Sequence, residues 1–118
     1  MTEYVIHPLI VGANETDQGV MTYLKGYGRR IWIPIYVFYL EGGKERILVD
    51  TGLEQFVVPP HVAEENGVQI LEFEDALATC GLRPEDVDVI IHTHLHNDHC
   101  ENDRKCLTHL LQLSEKSV

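Results

Sequence analysis

Ile90-Ile91-His92-Thr93-His94-Leu95-His96-Asn97-Asp98-His99-Cys100 is the stretch on which the reading of this chain turns. Four of the seven histidines fall in it, and Asp98 stands between two of them. The run 87–91, apolar except for Asp88, leads into the cluster and reads as a buried strand. A buried strand that ends in imidazoles and a carboxylate is costly unless something binds there. Neutral imidazole nitrogens and carboxylate oxygens are suitable ligands for zinc or another divalent metal. His94 and His96 are two apart, so in extended backbone their rings project the same way. Asp98 and His99 follow at the expected start of a helix, where the chain turns and presents a second pair of donors. Two ions about 3.5–4 Å apart sharing a bridging hydroxide are a natural outcome.

Upstream, residues 31–40 (Ile-Trp-Ile-Pro-Ile-Tyr-Val-Phe-Tyr-Leu) give the strongest strand signal, being almost wholly β-branched or aromatic. Trp32, Tyr36, Phe38 and Tyr39 are expected mainly to build core. Glu41-Gly42-Gly43-Lys44 supplies a hairpin turn, and residues 46–49 return as a second strand that stops at Asp50-Thr51-Gly52. Asp50 thus sits at the sheet rim, where it either caps the turn or serves a site. Before this, residues 4–11 read as an edge strand or two short pieces because of Pro8, and residues 12–19 as a loop.

Downstream, Pro59-Pro60 is a rigid break and residues 62–73 are ambiguous. Residues 72–80 carry Phe73, Ala76, Leu77 and Cys80 at helical offsets, with Gly81 as the cap. Residues 103–115 read as a helix, with Leu107, Leu110 and Leu111 on one face. The order of strands and helices predicts an α/β protein with mixed strand directions.

The 118 residues suit one small domain. With 19 acidic against 9 basic residues the net charge is −10, and residues 47–82 hold no Lys or Arg. Such a field repels phosphate backbones, so no nucleic-acid partner is expected. No apolar run is long enough for a membrane span, and Met1-Thr2-Glu3-Tyr4 lacks the features of a signal peptide. The cytoplasm is the expected location. Cys80, Cys100 and Cys106 form an odd set without CxxC spacing, which fits a reducing compartment.

His94-x-His96-x-Asp98-His99 resembles the HxHxDH signature of the metallo-β-lactamase superfamily, and the strand ending in Asp50-Thr51-Gly52 is similar to its earlier aspartate element. Residues 47–52 and 92–100 most resemble the N-acyl-homoserine lactonase branch. The resemblance implies the N-terminal half of an αββα sandwich, a single partial domain over residues 1–118 with an atypical helical tail at 106–118. It implies that His94 and His96 ligate a first zinc and that Asp98 and His99 ligate a second. Asp98 would also orient or deprotonate the attacking water, and Asp50 would support the ligands by hydrogen bonding from behind. His92 matches no ligand position and is expected to be structural. The implied activity is hydrolysis, the opening of a lactone of the N-acyl-homoserine type by a metal-bound hydroxide; thioester hydrolysis and oxygenase chemistry share the motif.

Relatives of this family run to about twice this length and add ligands downstream. The alternative expectation is therefore a truncated, catalytically silent metal-binding fragment that needs a complementary chain or self-associates through an uncovered sheet face. Two lesser metal readings remain: His109 as a further ligand, and a structural zinc site built from His99, Cys100, Cys106 and His109.

Overall fold

The computed structural model describes residues 3–22, 25–54, 58–94, 96–106 and 109–112. Its centre is one five-stranded sheet, in order β1 (Val5–Asp17), β2 (Arg30–Glu41), β3 (Ile47–Val49), β4 (Val89–His92), β5 (His109–Gln112). β1, β2 and β3 run antiparallel in succession, whereas β3, β4 and β5 are parallel. Pro8 lies in β1, the edge strand, where a missing N–H costs no ladder bond on the open side.

Along β2, Ile35, Val37 and Tyr39 are buried, while the alternate residues Pro34 and Tyr36 are exposed and Phe38 is half-buried. The period of two puts one face into the core. There Val11, Leu48 and Ile90 from neighbouring strands meet Phe73, Ala76 and Leu77 of a helix, α3 (Phe73–Ala78). Leu48 and Leu77 are fully buried, each contributing about 1.5–3 kcal/mol in transfer terms. Gly81, at φ 74°, ends this helical segment by letting Leu82 N–H reach back to the Leu77 carbonyl. The other face shows Tyr36 stacked on Phe38, with ring centroids 5.6 Å apart, beside half-buried Val49 and Ile91. Of the aromatic residues expected in the core, only Tyr39 lies fully there; strand alternation turns Tyr36 and Phe38 the other way.

Two expectations are corrected. Residues 12–17 are not a loop: β1 continues to Asp17 through a bulge between Ile10 and Gly12, because the strongly strand-forming β2 supplies a partner for the whole length. A four-residue helix, α1 (Gln18–Met21), follows, capped by the Asp17 carboxylate accepting from Gly19 N–H at 2.8 Å. Nor is the tail helical where it is described. Residues 103–105 form one 3-10 turn, and residues 109–112 are strand β5, paired in parallel with β4. The open edge of β4 offers backbone bonds that outweigh the local helical period. Leu107 and residues 113–118 lie outside the described residues.

The ambiguous segment holds α2 (Pro60–Asn66), with Pro60 at the helix start, where its lack of an N–H is harmless. The histidine stretch ends in a single helical turn, α4 (Asn97–Cys100).

Candidate metal centre

The rims of β3 and β4 adjoin because the two strands are parallel neighbours. Asp50 N–H donates to the Ile91 carbonyl at 2.9 Å, extending the ladder one residue past β3. Asp50 then adopts φ 63°, the one positive-φ residue other than glycine among the described residues. That conformation costs most L-residues roughly 1–2 kcal/mol, and aspartate is one of the few side chains that adopt it readily. It turns the carboxylate toward β4, where Asp50 Oδ1 accepts from Thr93 N–H (2.9 Å) and Oδ2 from the Thr93 hydroxyl (2.8 Å) and His99 Nδ1 (2.9 Å). Gly52, at φ 73°, is required next: a Cβ there would stand 2.7 Å from Val11 Cγ2.

These bonds set the ring nitrogens. Asp50 accepts only, so His99 carries its proton on Nδ1 and leaves Nε2 as a lone pair. Thr93 gives its proton to Asp50, so its oxygen accepts from His94 Nδ1 at 3.0 Å, which leaves Nε2 of His94 free as well. One carboxylate thereby orients two imidazoles, the arrangement that metal-ligating histidines need. Donor atoms of His94, Asp98 and His99, one from each, lie within 4.8 Å of one another. All three side chains are half-buried, and His99 Nε2 is 3.5 Å from Asp98 Oδ1. The donor set, two imidazoles and a carboxylate, fits zinc or a similar divalent ion, with room for water or a further ligand.

His96 stands apart from this group of three. It is exposed at the N-cap of α4 and packs its ring edge-on against His94, with centroids 4.7 Å apart. His96 keeps extended backbone at this N-cap (φ −65°, ψ 148°), and its ring meets the His94 ring edge-on without adding a donor atom to the group of three. His92, expected to be structural, is fully buried and bonds Asp103 Oδ2 through Nε2 at 2.8 Å.

Beneath the donors lies a set of polar residues that their spacing in the chain does not reveal. Thr51 N–H donates to the His99 carbonyl (2.8 Å) and Glu101 N–H to the Gly52 carbonyl (3.0 Å). Buried Asn102 donates through Nδ2 to the carbonyls of Thr51 (2.6 Å) and Leu53 (2.8 Å). The Thr51 hydroxyl donates to Asp103 Oδ1 at 2.8 Å. The clamp fixes α4, and with it Asp98 and His99, to the Asp50 loop. Nearby, burial and then the Asp103 charge push the Cys106 thiol up to about 12. The Cys100 thiol is raised by the same two causes in the same order. Both thiols stay protonated at neutral pH in the metal-free chain, and a structural zinc site built from His99, Cys100, Cys106 and His109 would have to displace both protons. The side chain of His109, its other member, lies outside the described residues.

Asp98 and His99 open onto a cleft of about 670 Å³ also lined by Ile33, Tyr36, Phe38, Met21 and Asn14 of β1. Asn14 Nδ2 donates to Asp98 Oδ2 at 3.2 Å. No helix among the described residues is long and apolar enough to cross a membrane.

Residues 30–100 match the metallo-beta-lactamase superfamily, and the chain belongs to that family. The fold is similar to that of a solved quorum-quenching N-acyl homoserine lactone hydrolase, at 25% identity and a TM-score of 0.64, over 89% of this chain and 44% of that one. A quorum-quenching N-acyl homoserine lactone lactonase aligns at 28% identity and a TM-score of 0.56, over 80% of this chain and 38% of that one. AidC, a dizinc quorum-quenching lactonase, shares the fold at 18% identity and a TM-score of 0.60, over 82% of this chain and 35% of that one. The chain therefore spans about two fifths of the length of these proteins.

Proposed function

We propose that this chain is a metal-dependent hydrolase acting on a lactone of the N-acyl-homoserine type. The observation that carries the proposal is the convergence of His94, Asp98 and His99 under the control of Asp50, at the mouth of a cleft with an apolar wall. The two lactone-hydrolysing structures at 25% and 28% identity support the choice of substrate. His94, Asp98 and His99 would hold the ion through Nε2, a carboxylate oxygen and Nε2, with His96 within reach by a side-chain rotation. A bound divalent cation supplies Lewis acidity and brings the pKa of a coordinated water toward neutrality. The chain's own part is to aim the donors and to take a proton from the attacking water at Asp98. Ile33, Tyr36 and Phe38 exclude water from one side of the cleft, where an acyl chain would lie.

The decisive experiment is ring opening of N-hexanoyl-homoserine lactone by purified chain, followed by acid release, with zinc, cobalt or manganese added and with chelator as control. Metal-dependent acid release that Asp98→Asn abolishes supports the proposal. Release equal to the chelator control, with metal demonstrably bound, refutes it for this chain.

A second reading is favoured by the three-donor group and by the span of two fifths. Here the chain binds metal but turns substrate over only with a complementary chain that brings further donors. The sheet face bearing Tyr36, Phe38, Val49 and Ile91 is the surface such a chain would cover. Sedimentation of the isolated chain and activity restored by mixing separate the two readings.

A further inference from the structure

The two oxygens of Asp98 have different surroundings. Oδ1 faces His99 Nε2 at 3.5 Å, on the side where the free lone pairs gather. Oδ2 accepts from Asn14 Nδ2 at 3.2 Å, across 84 positions of sequence. A carboxylate on a short side chain rotates freely about its last bond, because that torsion is broad. Fixing one oxygen determines which oxygen is offered and whether one or both can bind.

The bulge in β1 makes this contact. Ile10 pairs with Tyr36, but Gly12 pairs with Ile35 and Asn14 with Ile33, so the register moves by one between Ile10 and Gly12. Had the register of residues 5–10 continued unbroken, Asn14 would stand opposite Trp32 and its side chain would leave the opposite face. Bulges re-aim side chains beside sites, and this one brings a carboxamide to the rim of the donor cluster. An amide suits the place: it donates a hydrogen bond yet leaves the carboxylate its charge, which a lysine there would neutralise.

We infer that Asn14 is a positioning residue for Asp98, holding one carboxylate oxygen so that the other is presented to the ion. The inference rests on the metal-dependent reading above. Asn14 is exposed and outside the core, so its substitution leaves the fold intact.

The test compares wild type with Asn14→Leu, similar in size and without a donor. Cobalt affinity is measured by competition with a chromophoric chelator, together with the visible spectrum of the bound cobalt. The expected result is affinity roughly 10–100-fold weaker and an altered spectrum, at an unchanged unfolding temperature. Equal affinity and an identical spectrum overturn the inference and leave the metal reading standing. A wild-type chain that binds no cobalt overturns both. A second measurement needs no metal. In the metal-free protein, the side-chain amide resonances of Asn14, identified by their loss in Asn14→Leu, should shift in Asp98→Ala. If they stay in place the contact is absent, and the inference fails whatever cobalt does.

Discussion

Two polar regions lie a few ångströms apart in this molecule and are built on opposite rules. The lower one, made of Thr51, His92, Asn102 and Asp103, is spent almost wholly on itself. His92 bonds Asp103, Thr51 bonds Asp103, and Asn102 bonds two backbone carbonyls, with Thr51, His92 and Asn102 fully buried. The upper one, His94, Asp98 and His99, is half-buried and leaves lone pairs facing a cleft. Asp50 belongs to both, since it ends the strand below and orients the imidazoles above. His92 Nδ1 and Asn102 Oδ1 are buried in the lower region without a hydrogen-bond partner, but the bonds that are made tie the region together and stiffen its surroundings. Donors with unspent lone pairs gain from such rigidity, because their mutual repulsion would otherwise spread them.

The comparison breaks most plainly at Asp98. Asp98→Ala should weaken zinc or cobalt binding by more than the about 100-fold typical of outer partners, without lowering the unfolding temperature of the metal-free protein. Competition titration and thermal unfolding read the two effects separately. A large loss of stability would mean that the upper region is also structural.

Asp50→Asn comes next and should touch both regions. Asparagine tolerates the left-handed backbone at this position, so the turn survives. Its amide, however, replaces an acceptor that three donors share. Metal affinity should fall about 10–100-fold, and stability by about 1.5–3 kcal/mol for each lost bond to the charged carboxylate. An effect on affinity alone would assign Asp50 to the site and not to the frame.

Asn102→Ala tests the lower region by itself. It leaves the Thr51 and Leu53 carbonyls without their partner and should cost about 1–3 kcal/mol in denaturant unfolding, with metal affinity of the folded chain nearly unchanged. If affinity fell as far as in Asp50→Asn, the clamp would be acting on the donors directly.

The smallest effect concerns pH. Cys106 has its thiol raised from the ordinary 9.0 to about 12 by burial and Asp103. A group whose pKa is higher in the folded chain adds stability that is complete below the unfolded value and lost as pH rises. Stability should therefore decline between about pH 9 and pH 12, a decline that Cys106→Ala removes. At pH 8, Cys106 should resist alkylation until the chain unfolds, as peptide mapping would record.

Much of the upper region was legible in the chain itself. The alternating histidines, Asp98 and the strand ending in Asp50 announce themselves because they are local, with spacing tied to strand and helix periods. Two-residue spacing sets the direction in which His94 and His96 leave the chain but not the turn of each ring, and here the two rings meet edge-on. The lower region was invisible. Thr51 and Asn102 are ordinary residues 51 positions apart, and nothing in composition or periodicity pairs them. Asn14 was hidden twice, by its distance from Asp98 and by a bulge that reverses its face. The tail shows tertiary pairing overriding local preference, since Leu110 and Leu111, read on a helix face, lie in β5 against β4.

The left-handed turn at Asp50 has a consequence for mutational tolerance. Its backbone admits glycine, asparagine or aspartate with little penalty, whereas its bonding pattern demands a small anion. Glutamate satisfies the charge and fails the backbone; glycine satisfies the backbone and fails the charge. In a saturation library scored for both folding and ion binding, this position should accept a single amino acid, while the exposed β1 position Glu15 should accept most.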